Sequence, residues 1–120
     1  MFRISKTKIV ELTRGDSFIY PLFINVGSQI RPERYLLKSG DTVYFALMEP
    51  NQMFEDAILK KAYTSDDEKT SDGDLLIKLD SMDTQYLSCG KYYYTVKVRF
   101  SESELPVQTI IDNREFWILE

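Results

Sequence analysis

Histidine, the commonest general base and transition-metal ligand, is absent from these 120 residues. Any chemistry would therefore fall to cysteine, to paired carboxylates or to phosphate-binding glycines. Cys89 is the single cysteine. With no histidine to deprotonate it, and set in the turn-like Leu87-Ser88-Cys89-Gly90, it reads as a half-buried inert thiol. Asp80 and Asp83 stand close enough for acid–base work, yet they flank a predicted turn, where capping accounts for both. The acidic run from Thr64 to Asp74 offers Glu68, Thr70, Asp72 and Gly73 in the order of an EF-hand loop. That spacing demands a bidentate glutamate where the chain has Leu79, leaving only adventitious calcium binding by Asp66, Asp67, Asp72 or Asp74. Gly15, Gly27, Gly40, Gly73 and Gly90 are isolated, as turn glycines are, and make no phosphate loop. Arg14-Gly15-Asp16 spells an integrin-binding tripeptide, but a turn needs the same glycine and aspartate. No catalytic residue, cofactor or metal site is expected.

The bulk properties narrow the partners. A net charge of −4 with a pI near 4.9 argues against nucleic acid, which requires concentrated Lys and Arg. Arg3, Lys6, Lys8 and Arg14 are instead scattered among acids and β-formers and read as a solvated face. One cysteine permits no intramolecular disulfide, and no apolar run approaches the ~20 residues that span a bilayer. Met1 to Lys8 lacks the apolar core of a signal peptide, and no N-glycosylation sequon is present. The expectation is a protein of the reducing cytoplasm, with no membrane association.

The elements that must carry any functional surface repeat with period two. Phe18, Tyr20, Leu22 and Ile24 alternate with Ile19, Pro21, Phe23 and Asn25, and Pro21 must sit where no ladder donor is needed. Val43, Phe45 and Leu47 follow the turn signal Ser39-Gly40-Asp41. Leu75, Ile77 and Leu79 form another run, and Tyr92, Tyr94, Val96, Val98 and Phe100 form the cleanest. Ala57 to Tyr63 tolerates helix, but its place between strands favours a strand. Val107 to Ile111 and Glu115 to Leu119 predict one long strand bulged near Asp112-Asn113, or a short hairpin. With Ile9 to Thr13 the count is about seven, the pattern of an antiparallel β-sandwich formed by residues 1–120 as one domain. Thr64 to Asp74 reads as a flexible hairpin loop.

Asp83 to Tyr94 sharpens the fold class. It reads as a turn of helix, capped by Asp83-Thr84, that drops through Gly90 into a strand opened by tyrosines. Immunoglobulin-like sandwiches cross between sheets in this way, with a tyrosine bonding back to upstream backbone. Tyr92 is the candidate for that corner, with Tyr94 next. On the outward face, Tyr44, Ala46 and Met48 would lie beside Tyr93 and Thr95, with Trp117 joining from the terminal strand. Tyr44, Met48, Tyr93 and Trp117 are of the residue types enriched at protein interfaces, and they form the candidate partner-binding set. The terminal strand could also augment a partner's sheet through an unpaired edge.

The order of these pieces carries a resemblance. Leu12-Thr13-Arg14-Gly15-Asp16-Ser17-Phe18 is followed by Leu37-Lys38-Ser39-Gly40-Asp41-Thr42-Val43-Tyr44-Phe45. Next come Leu75 to Leu79, Leu87 to Tyr94, and Thr109-Ile110-Ile111 with Phe116. The chain resembles small immunoglobulin-like proteins encoded by phages and prophages of Gram-positive bacteria. It is similar to the N-terminal β-sandwich domain of upper baseplate proteins of lactococcal-type phages. The resemblance implies a virion-associated structural protein, of baseplate, tail or head, that binds other virion or assembly proteins or copies of itself. It would reside in the virion, or in the host cytoplasm before assembly. Upper baseplate proteins continue into a linker and a further domain, whereas this sequence stops at Glu120, which favours a small accessory. The competing class is a carbohydrate-binding module stacking sugars on Tyr44, Tyr93 and Trp117.

Overall fold

Alternating apolar residues fold into ten strands in the computed structural model, which describes residues 2–4, 8–27, 30–101 and 107–120. Met1 and Lys6 lie outside the described residues. Strands β1 (Phe2–Ile4), β2 (Val10–Thr13), β10 (Val107–Leu119), β9 (Gly90–Arg99), β6 (Thr42–Met48) and β7 (Leu59–Thr64) line up in that order in one sheet. Strands β3 (Phe18–Leu22) and β8 (Leu75–Leu79) pair in a second sheet, and β4 (Ile24–Gly27) and β5 (Pro32–Tyr35) form a hairpin. The fold is all-β and sandwich-like. Neighbours are antiparallel except β2 and β10, which run parallel with Phe116 opposite Val10. Three strands exceed the expected seven: β1 and β5 are too brief for their alternation to stand out, and the single strand expected from Phe18 to Asn25 breaks at Phe23 into β3 and β4, which pair in different sheets.

Both sheets turn their apolar sides inward. Val10, Val43, Phe45, Leu47, Tyr94, Val96, Val98, Phe116 and Ile118 from the larger sheet meet Phe18, Tyr20, Leu22, Leu75, Ile77 and Leu79 from the smaller. Phe116, fully buried, is the centre: its ring meets Phe18 edge-on at 5.4 Å and Tyr94 at 5.9 Å. Tyr94 in turn stacks on Phe45 at 5.8 Å. In antibody domains the second cysteine of the inter-sheet disulfide lies two residues after the corner tyrosine. Here that position is Tyr94, so aromatic packing does the joining.

Pro21 is accommodated by the hydrogen-bond phase of the small sheet. Leu76 sends its N–H to the Glu68 carbonyl (3.0 Å), and Lys78 sends its own to the Tyr63 hydroxyl (3.3 Å), both away from β3. Pro21 pairs with Leu76 across the ladder, so its own backbone also faces away from β8 and its missing N–H costs no ladder bond.

Thr64 to Asp74 departs from the expected hairpin loop. It carries the chain from β7 in one sheet to β8 in the other, and β7 and β8 do not pair. It is built of turns closed by its own polar side chains: the Thr64 N–H donates to Asp67 Oδ2 (2.7 Å) and the Asp74 N–H to Thr70 Oγ1 (3.1 Å). The terminal segment takes the single-strand alternative, with one register shift across Asp112 and Asn113 and another between Thr109 and Ile111.

Candidate functional site

The outward face of the six-stranded sheet carries the candidate residues, and register decides which of them meet. Tyr93 lies opposite Met48 on β6 and opposite Glu115 on β10, while Trp117 lies opposite Lys91. Tyr93 and Trp117 are both half-buried, and the Lys91 ammonium sits 5.6 Å from one ring centre and 5.8 Å from the other. Trp117 Nε1 donates to Glu115 Oε1 at 3.2 Å, which fixes the indole against the strand. The result is an aromatic pair bridged by one cation, an arrangement that gains strength as water is excluded.

Met48 and Tyr44 do not join this patch. Met48 is buried, as are Ala46 and Thr95, because residues 49–57 fold back over the sheet. That segment is braced by the Glu49 N–H donating to Gln52 Oε1 (2.9 Å) and Lys60 Nζ donating to the Glu55 carbonyl (2.7 Å). Its 3-10 turn, Phe54–Asp56, lays Phe54 over Lys97 at 4.3 Å and Lys60 at 5.6 Å. Tyr44 lies opposite Lys97, four positions along β6 from Met48, so it stands about 13 Å from the Tyr93 position. Phe54 and Lys60 share its depression. The expected single aromatic face is thus two patches separated by the 3-10 turn.

The residues given structural roles resolve individually. Tyr92 donates its hydroxyl to the Ser88 carbonyl at 2.7 Å, which makes the corner, and burial raises its phenol pKa. Gly90 opens β9 at φ 145°. The cap of helix α1 (Ser81–Thr84) is Asp80, not Asp83-Thr84; Asp83 occupies the third helical position and accepts the Asp80 N–H at 2.8 Å. Asp83 also pairs with Lys61 at 2.9 Å, tying the corner to β7. Thr84 is buried; its hydroxyl accepts the Gly15 N–H (3.2 Å) and faces the Asp16 carbonyl (3.3 Å). The Arg14-Gly15-Asp16 tripeptide is thereby held as the β2–β3 turn, with Gly15 at φ 85°. Cys89 is exposed rather than half-buried, since the corner's hydrogen bond uses the backbone of Ser88 and leaves the next side chain outside. The terminal strand is an open edge only in its first part, because Phe116 to Leu119 pair with β2.

Asp41 and Tyr63 carry buried polar groups that the sequence did not single out, and Tyr94, the second candidate for the corner, bonds elsewhere. Asp41, only 1 % exposed, accepts from the Lys38 N–H (2.9 Å), the Ser101 N–H (2.9 Å), Ser101 Oγ (3.2 Å) and the Tyr35 hydroxyl. Burial would raise its pKa, but these donors outweigh it and hold the carboxyl below its ordinary value. Tyr63 on β7 donates to the Lys78 carbonyl on β8 at 2.7 Å, bridging the two sheets, and burial pushes its pKa up to about 12. Tyr94 donates to the Lys8 carbonyl, and burial raises its pKa too. The available signal for Asp41 was Ser39-Gly40-Asp41 directly before a strand: Gly40 adopts φ 95°, and a Cβ there would stand 3.0 Å from Ser101 Cβ.

Asp74, a calcium candidate on sequence, is buried and held by the Arg34 guanidinium. Among the described residues no group of three or more acidic, histidine or cysteine side chains could hold a metal ion, and no helix is long and apolar enough to cross a membrane. Comparison with protein-family models, curated proteins and solved structures finds no match to the chain.

Proposed function

We propose that this chain is a phage or prophage structural protein: a virion-associated interaction module of baseplate, tail or head that docks on other particle proteins through its larger sheet. It performs no catalysis. The observation that carries the reading is the half-buried pair Tyr93 and Trp117 with the exposed Lys91 beside both rings, on the outward face of that sheet. An aromatic pair with an interposed cation is the kind of anchor that binds strongly once a partner excludes water from it. The order of elements, with the corner tyrosine at the entry to β9, supports the resemblance to phage immunoglobulin-like proteins.

The deciding measurement is mass spectrometry of purified particles released on induction of the source prophage. The chain should appear at a fixed ratio to tail or capsid proteins, and the W117A/Y93A double variant should be lost from particles while remaining folded. Complete particles that lack the chain, with all of it in the cytosol, would refute the reading.

A further inference from the structure

Beside the aromatic cluster, residues 49–57 and the β10 bulge flank a groove across the outward face, which shares Tyr93 but neither Lys91 nor Trp117 with the proposed docking surface. It consists of two adjacent depressions of about 310 and 330 Å³, which share Met48, Gln52 and Asn113. Tyr93 lines one depression; Phe54 and Lys97 line the other. These volumes sit at the lower end of the range for small-ligand sites.

The hydrogen bonds already made fix which atoms face the ligand. Gln52 spends its Oε1 on the Glu49 N–H, so that end of the amide must be oxygen and the free end is the NH2 group. Thr95 Oγ1 accepts the Asn113 N–H at 3.2 Å and donates to Asn113 Oδ1 at 3.4 Å. That assigns the Asn113 oxygen too and leaves its NH2 as the free end. Two side-chain amides anchored through their oxygens thus present donors to one groove.

Such a groove asks for acceptor oxygens beside the Tyr93 ring, with Phe54, its ring already met by Lys97 at 4.3 Å, closing the far end. The carboxylates of Glu49, Glu55 and Asp112 at the rim disfavour an anionic ligand and would accept hydroxyl protons. Met48, 2 % exposed, leaves no deep apolar socket for peptide side chains. A sugar ring satisfies every condition: hydroxyls that both accept and donate at its rim, and an apolar face that lies flat on an aromatic ring. Tyr93 and the Phe54-bearing Lys97 are four positions apart on β9, about 13 Å, enough for a short oligosaccharide rather than a single ring. We infer that the groove between residues 49–57 and the β10 bulge is a binding site for a neutral oligosaccharide, recognised by the Gln52 and Asn113 amides between Tyr93 and Phe54.

The test is nitrogen-15 NMR of the full chain with linear tetramers of β-linked glucose, β-linked N-acetylglucosamine, α-linked mannose and galactose, and with an unrelated tetrapeptide as comparison. At least one tetramer should shift the side-chain amide signals of Gln52 and Asn113. Gln52→Glu and Asn113→Asp keep the anchoring oxygens and exchange each NH2 donor for a charged oxygen that repels the ligand's acceptors, so each should weaken that binding by about tenfold while the backbone spectrum stays that of the folded chain. Trp117→Ala should leave it intact. No amide shift with any tetramer at millimolar concentration, equal shifts with the peptide, or undiminished binding by both isosteric variants would overturn the inference. Incorporation of Trp117→Ala into particles, at a residue that lines neither depression, tests the docking role apart from the groove.

Discussion

Substituting Asp41 tests whether a buried carboxylate, rather than apolar packing alone, locks one end of the sandwich. Its two oxygens divide the work: Oδ1 accepts from the N–H and hydroxyl of Ser101, Oδ2 from the Lys38 N–H and the Tyr35 hydroxyl. An asparagine keeps one oxygen and turns its NH2 towards two donors, whichever way it is placed. Loss of two charge-assisted bonds at a site 1 % exposed should cost about 3 kcal/mol. At roughly 0.25 kcal/mol per degree for a chain of this length, Tm should fall by about 12 °C. The pH dependence has a definite sign. The folded carboxyl titrates below its ordinary value of 3.8, so its contribution is complete above that value and is lost as pH falls through the lower folded pKa. The Tm gap between the native chain and D41N, measured by circular dichroism, should be constant from pH 7 to 5 and narrow below about pH 4. A D41N cost under about 1 kcal/mol at pH 7, or a gap that widens in acid, would refute the reasoning.

Other outcomes follow from the same geometry. Tyr63→Phe removes the hydroxyl that bonds Lys78 across the sheets and should cost about 1.5 kcal/mol by urea denaturation. Because the folded Tyr63 phenol is raised to about 12 from 10.0, stability should decline between about pH 10 and 12, less steeply in Y63F. Tyr92→Phe should cost about 1 kcal/mol and Tyr93→Phe almost nothing, since only Tyr92 bonds the corner backbone at Ser88. Gly40→Ala meets both a φ of 95° and Ser101 Cβ at 3.0 Å, so a loss of about 2 kcal/mol is expected in thermal melts.

What was legible in the sequence was what repeats. Period-two alternation is set by the pleat itself, so β6, β8 and β9 could be placed from their own residues. The corner was legible because its bond is local, Tyr92 reaching a residue four positions upstream. Non-local facts were not. Whether Met48 faces solvent depends on where residues 49–57 go after leaving the strand, and alternation says nothing about a segment folding back over an outward face. Asp41 looked like turn chemistry because its Lys38 bond is turn chemistry; its bonds to Ser101 span 60 positions. Cys89 shows the converse limit, as one residue's shift in a turn separates a buried side chain from an exposed one.

The polar anchors also explain how a small sheet of two strands can face one of six. A two-stranded sheet is marginal by itself and leaves β8 with an open edge. That edge is met group by group: Leu76 by the Glu68 carbonyl, Lys78 by the Tyr63 hydroxyl, and Asp74 at its start by Arg34 from the β4–β5 hairpin. Side chains and turns thus stand in for a further strand, and the crossover from Thr64 to Asp74 adds the Glu68 carbonyl and the Lys69–Leu75 bridge to the groups from β7 and the hairpin. The larger sheet is then free to present its outward face, where the Tyr93–Trp117 cluster and the neighbouring groove lie side by side on β9 and β10. Stability is invested between the sheets and at their ends, which leaves the outward surface open to change without loss of the fold.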